Sequence, residues 1–379
     1  MNEHKLTNVN IERLELTVPP EQLWRDFPLT PKAEETVANG RDALKNIMDL
    51  RYDRRVVIVG PCSFSDVESD LELALEVREL TEEVKDELFV VMRLPPEKPR
   101  TLYGWEGMIP EPRIDGVVRR SEGLAITRQF FVRLADLGIV IAMEFENTRT
   151  PQHLDKLIGY AWEGARNSES GEHRALASGL SMPVGIKNGT SGNIESAVYG
   201  VRRAQRPDVF SGGIDPSGRE CDAYTWGNRY AHVILRGGTH NGTCTTNYDA
   251  VSIKKTQDML RKYEKEPWVL VDCSHGNSIN DGKKDHKRQI YVCREVVHQM
   301  TDGNKHILGV MIEANLYAGS KEIPMEAADR ANPEKFDPQK LPKGVSITDA
   351  CLGWEETANL IREMHHELRS YRQQCSHRN

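Results

Sequence analysis

Eight short apolar runs recur along this 379-residue chain, and amphipathic stretches of helix length separate them. The runs show no regular polar alternation, which is typical of strands buried on both faces of a parallel sheet. Eight strand and helix units are also the number that closes a (β/α)8 barrel. The runs are residues 55–60, 88–94, 138–145, 157–163, 183–187, 231–236, 267–273 and 307–313.

The order of elements therefore predicts an α/β fold, a (β/α)8 TIM barrel that occupies residues 51–379. An open doubly wound sheet would give a similar order, but it usually carries G-x-G-x-x-G after an early strand, and this sequence has none. Helices are predicted between the runs, among them 67–86, 123–137, 190–204 and 281–300.

Two segments lie outside a minimal barrel. Residues 1–50 form an N-terminal extension, in which the pattern predicts an amphipathic helix over 31–50. Residues 209–230 form a Gly-rich insertion, and its DPSG and WGN pieces predict the turns of a β-ribbon. Both segments are expected to serve as an oligomer surface or a regulatory site.

Charge and hydropathy narrow the class of protein. The formal net charge is −7, so no global basic field exists to attract nucleic acid or acidic lipid. No apolar run reaches the ~18–20 residues of a membrane span, and the first residues lack the apolar core of a signal peptide. We therefore expect a cytoplasmic protein that contacts neither nucleic acid nor a membrane.

Cationic residues gather where the predicted strands end. In a barrel these ends share one mouth, where the active site is built. So many cations would repel one another unless a multiply charged anion neutralised them, whereas any one of them could instead pair with an acid on the surface. The cations are Arg93, Lys98, Arg100, Arg166, Lys187 and Arg236.

A second group at the strand ends suits a metal ion. Cys62, His275, Glu313 and Asp349 combine a thiol, an imidazole and two carboxylates. Such a mixed set favours a divalent transition ion such as manganese, iron, cobalt or zinc over magnesium or calcium. Taken singly, Cys62 could be a buried packing residue and His275 a hydrogen-bonded structural histidine.

Several motifs together resemble one enzyme family. They are GPCS, EKPRT followed by GW, EGAR, HRALASGLSMPVGIKNGT, LRGG and SITDACLGWEET. The sequence is similar, over nearly its whole length, to the microbial type I 3-deoxy-D-arabino-heptulosonate 7-phosphate (DAHP) synthases. The resemblance implies a metal-dependent barrel that condenses phosphoenolpyruvate with erythrose 4-phosphate and water, releasing phosphate, at the first step of the shikimate pathway. It also implies a homodimer or homotetramer.

The resemblance assigns roles by motif. Cys62, His275, Glu313 and Asp349 would bind the metal, and Arg100 and Thr101 would hold the sugar phosphate. Lys98, with Cys62 and His275 at the metal, would be catalytic, and clustered cations are expected to lower the pKa of Lys98 so that it can donate a proton. The phosphoenolpyruvate ligands would be Arg93, Lys98, Arg166, Lys187 and Arg236, with Glu144 nearby.

The sequence departs from the family pattern in places. Glu106 replaces a lysine of the GWKG segment, beside the phosphate-binding loop, and Pro95-Pro96 replaces an aromatic pair. Neutral Val9 and Asn10 replace acids of feedback-inhibited members, so inhibition by an aromatic amino acid is not expected. Two alternatives follow: a paralogue of secondary metabolism that accepts a different phosphorylated aldehyde, and a non-catalytic binding homologue.

Overall fold

The computed structural model of the protein describes residues 6–280 and 282–376, and its strands define the fold. In chain order they are β1 (Arg55–Gly60), β2 (Leu88–Arg93), β3 (Ile141–Glu144), β4 (Ile158–Glu163), β5 (Val184–Lys187), β6 (Asp208–Ile214), β7 (Glu220–Thr225), β8 (Ala231–Leu235), β9 (Gly238–His240), β10 (Thr243–Thr245), β11 (Val269–Asp272), β12 (Ile279–Asn280), β13 (Lys283–Lys284), β14 (Ile307–Asn315) and β15 (Leu352–Gly353).

Eight of these strands form a closed parallel barrel, in the order β1-β2-β3-β4-β5-β8-β11-β14. The barrel closes because β14 pairs with β1, with Val56 opposite Gly309 and Gly60 opposite Glu313. The predicted barrel is confirmed, and each of the eight apolar runs contains one of its strands. The third and seventh strands are shorter than the runs that predicted them.

The helices surround the barrel. They are α1 (Pro20–Asp26), α2 (Pro31–Met48), α3 (Val67–Val84), α4 (Arg120–Asp136), α5 (Thr150–Leu154), α6 (Gly171–Gly179), α7 (Ile194–Ala204), α8 (Ala250–Lys262), α9 (Arg288–Thr301), α10 (Ala327–Arg330) and α11 (Trp354–Ser376). No helix within the described ranges is long and apolar enough to cross a membrane.

Two predicted helices begin later than expected, α7 at Ile194 instead of residue 190, where Asn193 caps it, and α9. The pattern predicted a helix over 281–300, but α9 begins at Arg288. Before α9, strands β12 and β13 form an antiparallel pair. Gly282 in the turn between them has φ of 77°, a conformation that is incompatible with an α-helix at this position. Asp281, the predicted first residue of the helix, lies outside the described residues.

The barrel interior is closed at the N-terminal ends of the strands by α2. Pro31 occupies the first turn of this helix, and Thr30 caps it by accepting a hydrogen bond from the backbone N–H of Ala33 at 3.0 Å. Leu44 and Ile47 of α2 pack with interior residues of the barrel strands. The interior of the barrel is therefore a packed core.

A polar pair is buried within that core. The Tyr160 hydroxyl donates to Nε2 of His232 at 2.7 Å, because Nδ1 of His232 donates to the carbonyl oxygen of Tyr230 at 3.0 Å. Burial lowers the pKa of His232 to about 4, so its imidazole is neutral at pH 7.

The predicted ribbon is present as the antiparallel pair β6–β7. Its turn lies against the N-terminal extension, since the backbone N–H of Glu21 donates to the Pro216 carbonyl at 2.9 Å. Tyr224 and Trp226 at the end of the ribbon are strongly exposed, as is Leu16 in the N-terminal extension.

Candidate active site

A cavity of about 420 Å³ opens at the C-terminal ends of the barrel strands. An adjoining cavity of about 450 Å³ is lined by Thr101 and by Arg166, which borders both cavities. Arg93 is buried near the main cavity and pairs with Glu313. The predicted residues that line the main cavity are Lys98, Arg100, Glu144, Arg166, Lys187, Arg236, His275 and Asp349.

Three of the four predicted metal ligands form a tight group. The Sγ of Cys62 and carboxylate oxygens of Glu313 and Asp349 all lie within 4.8 Å of one another. Strand β15 pairs with the end of β14, which brings the loop that carries Asp349 beside Glu313. His275 lies at the edge of the group, with its Nε2 3.8 Å from Oε1 of Glu313.

The imidazole of His275 lies beside the carboxylate of Asp272, the last residue of β11. Oδ2 of Asp272 lies 2.9 Å from Nδ1 of His275, which leaves Nε2 toward Glu313. Burial lowers the pKa of His275, so the ring is neutral, the form that binds metals. Asp272 also lies 3.0 Å from Nζ of Lys187, and therefore links the metal side of the site to the cationic side.

Asp272 was not among the residues predicted for the site. Its signal was a carboxylate at the end of an apolar strand, three residues before a candidate ligand. A carboxylate partner behind a ligating histidine is common in metal sites, and it fixes the tautomer of the ring.

Three side chains hold Glu313 in place, two at its carboxylate and one at its backbone. Nη2 of Arg93 lies 3.1 Å from Oε1, and the Ser274 hydroxyl donates to Oε2 at 2.6 Å. The Gln289 side chain accepts from the Glu313 backbone N–H and donates to its carbonyl. Burial would raise the pKa of Glu313, but attraction to Lys284 and Arg93 outweighs it and holds the pKa well below its usual range.

Lys284 is a site residue that the sequence did not reveal, because it was placed in a helix that begins only at Arg288. Its Nζ lies 2.5 Å from Oδ2 of Asp349 and 3.5 Å from Oε2 of Glu313. Burial opposes the charge of Lys284, but these two carboxylates raise its pKa. A cation of the protein itself thus lies between two predicted metal ligands.

The ammonium group of Lys98 lies beside Cys62. Its Nζ donates to the Cys62 carbonyl at 3.0 Å and lies 3.4 Å from Sγ. The expectation of a lowered pKa is wrong: burial acts in that direction, but Cys62, Glu144 and Glu313 raise the pKa of Lys98 overall. Burial and Glu313 likewise raise the pKa of the Cys62 thiol.

The cationic side of the cavity combines buried and exposed groups. Arg93 and Lys187 are almost completely buried, and Nη1 of Arg93 is a buried donor without a hydrogen-bond partner in the described residues. Arg166 is exposed, and its Nε donates to the Thr101 hydroxyl at 3.0 Å. Buried donors need acceptors, so an anion with several oxygens fits this side of the cavity.

Glu106 lies away from that wall. Its side chain is exposed and is not among the residues that line the cavity, whereas its backbone carbonyl accepts from the Lys98 N–H at 2.8 Å. The charge reversal identified in the sequence therefore points to solvent, and the backbone of the loop still supports Lys98.

The chain is similar to known proteins over nearly its whole length. The family model described as DAHP synthetase I family matches residues 30–362. The Tyr-sensitive phospho-2-dehydro-3-deoxyheptonate aldolase of Salmonella typhimurium is 40% identical over 368 residues, 97% of this chain and 98% of the relative. The Phe-sensitive enzyme of Escherichia coli K12 is 38% identical over 365 residues, 96% of this chain and 98% of the relative.

A solved structure gives the same result for the fold. The phospho-2-dehydro-3-deoxyheptonate aldolase of Francisella tularensis SCHU S4 superposes with a TM-score of 0.86 at 35% identity. The match covers 95% of this chain and 99% of that one, so barrel, extension and ribbon are compared together.

Proposed function

The chain belongs to the DAHP synthetase I family and is a phospho-2-dehydro-3-deoxyheptonate aldolase of the shikimate pathway, and we propose that it joins phosphoenolpyruvate to erythrose 4-phosphate using one divalent transition metal ion. The observation that carries the proposal is the convergence of cations and mixed metal ligands at one barrel mouth. The activity of the family sets aside the non-catalytic alternative raised by the sequence.

The donor set fits a transition ion such as manganese, iron, cobalt or zinc. Cys62, Glu313 and Asp349 are already grouped, and the neutral His275 adds an imidazole nitrogen at their edge. A thiolate and an imidazole beside two carboxylates suit these ions better than magnesium or calcium. What such an ion supplies when bound is Lewis acidity toward the aldehyde oxygen of the sugar.

Phosphoenolpyruvate would lie on the cationic side. Arg93 and Lys187 offer buried charges, and the unpartnered Nη1 of Arg93 calls for an acceptor oxygen. A phosphate and a carboxylate on one small molecule supply enough oxygens for this wall. Its remaining proposed ligands are Lys98, Arg166 and Arg236, with Glu144 beside them.

The phosphate of the sugar would lie farther out. Arg100 and Thr101 follow Lys98 on the same loop, and Arg166 contacts Thr101. Nε of Arg100 donates to the Trp105 carbonyl at 2.8 Å, which fixes the base of its guanidinium group. The two phosphates are thereby separated along one cavity, with the reacting carbons between them.

The reaction then follows from these positions. C3 of phosphoenolpyruvate bonds to the aldehyde carbon, and the aldehyde oxygen takes a proton from Lys98, whose raised pKa keeps it protonated at neutral pH. Water adds at C2 and gives its proton to Glu144, since the other carboxylate lining the cavity, Asp349, is a proposed metal ligand. The C2–O bond to phosphate breaks with its electron pair going to the phosphate oxygen, the departing phosphate takes the proton of the C2 hydroxyl, and a keto group remains. The proton held by Glu144 returns through solvent to Lys98, which restores both groups. Arg and Lys side chains stabilise the departing phosphate.

The test follows the consumption of phosphoenolpyruvate by purified protein with manganese and erythrose 4-phosphate, with mass spectrometry of the product. We expect a seven-carbon phosphorylated keto acid, loss of turnover with a chelator, and recovery on adding manganese back. Turnover that survives metal removal would contradict the role of the ion. If phosphoenolpyruvate binds but only another aldose phosphate reacts, the paralogue alternative is correct.

We also propose a homodimer or homotetramer that uses the N-terminal extension and the ribbon. Leu14, Leu16, Tyr224 and Trp226 expose large apolar surfaces on these segments, and such surfaces commonly mark protein interfaces. Light scattering should give a multiple of 43.0 kDa, and Trp226→Ser should reduce it. A monomeric wild-type protein would contradict the proposal.

A further inference from the structure

Two carboxyl groups meet at the end of β3. Glu144 ends the strand and lines the active-site cavity, and Glu146 follows two residues later on the same side. A Cβ atom added to Gly164 would lie 2.6 Å from Oε1 of Glu144 and 2.5 Å from Oε1 of Glu146. Both oxygens therefore face the bare backbone of Gly164, and a larger residue there would force them apart.

The hydrogen bonds of Glu146 show where its proton must be. Oε2 of Glu146 accepts from Nδ2 of Asn167 at 2.7 Å, so this oxygen acts as an acceptor. Oε1 is buried and accepts no hydrogen bond from the described residues, and it lies beside Oε1 of Glu144 over Gly164. Two carboxylate oxygens cannot bond to each other, whereas a proton on Oε1 of Glu146 makes it a donor to Glu144.

The surrounding charges favour placing the proton on Glu146 and the negative charge on Glu144. Lys187, Lys98 and Arg93 face Glu144 and hold its pKa below the usual value against the effect of burial. Burial and Glu144 raise the pKa of Glu146 to about 9, with Lys98 and Asn167 opposing.

Two further titratable groups surround the pair. Glu163 is buried, and both of its carboxyl oxygens lack partners in the described part of the chain. His173 lies on α6, with its Nε2 3.0 Å from the backbone carbonyl oxygen of Glu146. Neither one makes a side-chain hydrogen bond to Glu144 in the described residues, so Glu146 is the neighbour that can orient it.

We propose that Glu146 is a positioning residue, which keeps its carboxyl proton at neutral pH and donates a hydrogen bond that fixes Glu144 as an oriented anion facing the substrates. The inference rests on the proposed function, in which Glu144 accepts the proton of the adding water. As a neutral acid, Glu146 adds no second charge to a wall that must bind the carboxylate of phosphoenolpyruvate.

Two substitutions distinguish hydrogen-bond donation by Glu146 from the space that its side chain fills. Glu146→Leu fills the space without a donor, so the pKa of Glu144 should rise. The acid limb of the pH profile of kcat should therefore move up by about one pH unit. Glu146→Gln keeps both contacts, because its amide N–H can donate to Glu144 while its oxygen accepts from Asn167. Its acid limb should stay where it is in the wild type.

The alkaline limb gives an independent readout. In the wild type, kcat/KM for phosphoenolpyruvate should fall as Glu146 loses its proton near a pKa of about 9, because a second anion then lies beside Glu144. Glutamine cannot ionise, so the Glu146→Gln variant should lack this limb. Glu163→Gln is the matched control, since it removes a buried carboxyl with no hydrogen bond to Glu144 and should leave the acid limb in place.

A spectroscopic measurement keeps the inference testable without turnover. The infrared difference spectrum of wild type minus Glu146→Gln at pH 7 should contain the carbonyl stretch of a protonated carboxyl group. Its absence, an acid limb unmoved by leucine, or an alkaline limb retained by glutamine would each overturn the proposal. Failure of the wild type to consume phosphoenolpyruvate would instead contradict the proposed function.

Discussion

Nζ of Lys284 lies 2.5 Å from Oδ2 of Asp349, and Glu313 lies on its other side. A lysine of the protein therefore neutralises two proposed metal ligands in the metal-free protein. The same two carboxylates are proposed to bind the metal, so this ammonium group competes with the ion for their negative charge.

Lys284→Met should bind metal more tightly and be less stable without it. We expect the manganese affinity to rise by about tenfold and the free energy of unfolding of the metal-free protein to fall by about 1–2 kcal/mol, less than for a fully buried pair because Asp349 is partly exposed. Titration calorimetry and thermal unfolding of the metal-free protein measure the two effects. Lys283→Met, a neighbouring exposed lysine, is the matched control and should change neither.

Cys62→Ala should lose the metal and remain folded. The thiol is fully buried, so its removal should cost about 1 kcal/mol of stability, within the tolerance of a large barrel. Metal analysis after gel filtration should show no bound ion, and turnover should fall to background. Retention of one tightly bound ion per chain would remove Cys62 from the ligand set.

Metal binding should also depend on pH through the same thiol. Its raised pKa means that the free protein carries the proton, which metal binding must displace. The metal affinity of the wild type should therefore increase with pH across the neutral range, with proton release detected by calorimetry in buffers of different ionisation enthalpy. A pH-independent affinity would show that the thiol is not a ligand.

Lys187→Met should weaken phosphoenolpyruvate binding by about 100-fold, because a buried charge-assisted contact to an anion is lost. The substitution also leaves Asp272 without its ammonium partner, so thermal unfolding must confirm that the variant is folded at the assay temperature. Lys335→Met, which removes an exposed lysine far along the chain, serves as the control. Unchanged affinity in a folded Lys187→Met variant would remove Lys187 from the site.

The buried pair of His232 and Tyr160 predicts a loss of stability in acid. His232 has a pKa of about 4 in the folded protein, below the 6.5 expected when it is unfolded. The unfolded chain thus binds more protons, and stability that is present above pH 6.5 is lost as the pH falls toward 4, by about 3 kcal/mol in total. Urea unfolding between pH 7 and 5 should show this slope, and His232→Gln should flatten it.

The barrel could be predicted from the sequence because its strands are buried on both faces and so appear as apolar runs. Strand-end residues such as Lys187 could be placed together because a parallel barrel has a single mouth for all strand ends. Asp272 was missed because one of its partners, Lys187, ends β5, which is two strands away from β11 around the barrel. Lys284 was missed because the short pair β12–β13 replaced the expected start of a helix.

Protonation states were the least accessible feature of the site. The expected pKa of Lys98 considered only nearby cations, whereas the structure places Cys62, Glu144 and Glu313 around it. The proton assigned to Glu146 depends on the approach of the Glu144 and Glu146 side chains to each other over Gly164, which follows β4. Such effects depend on distances of a few ångströms, and the order of residues does not encode them directly.

The pairing of β1 with β14 also has a consequence for how the chain is made. β1 is the first barrel strand to leave the ribosome and β14 the last, so one edge of β1 stays unpaired until about residue 315 has been synthesised. At about 5–20 residues per second, that interval is on the order of ten seconds or more. The segment RVVIVG is short, apolar and β-branched, as are segments that pair between chains. The yield of folded protein in a cell should therefore depend on how well this edge is protected during synthesis, independently of the stability of the finished barrel.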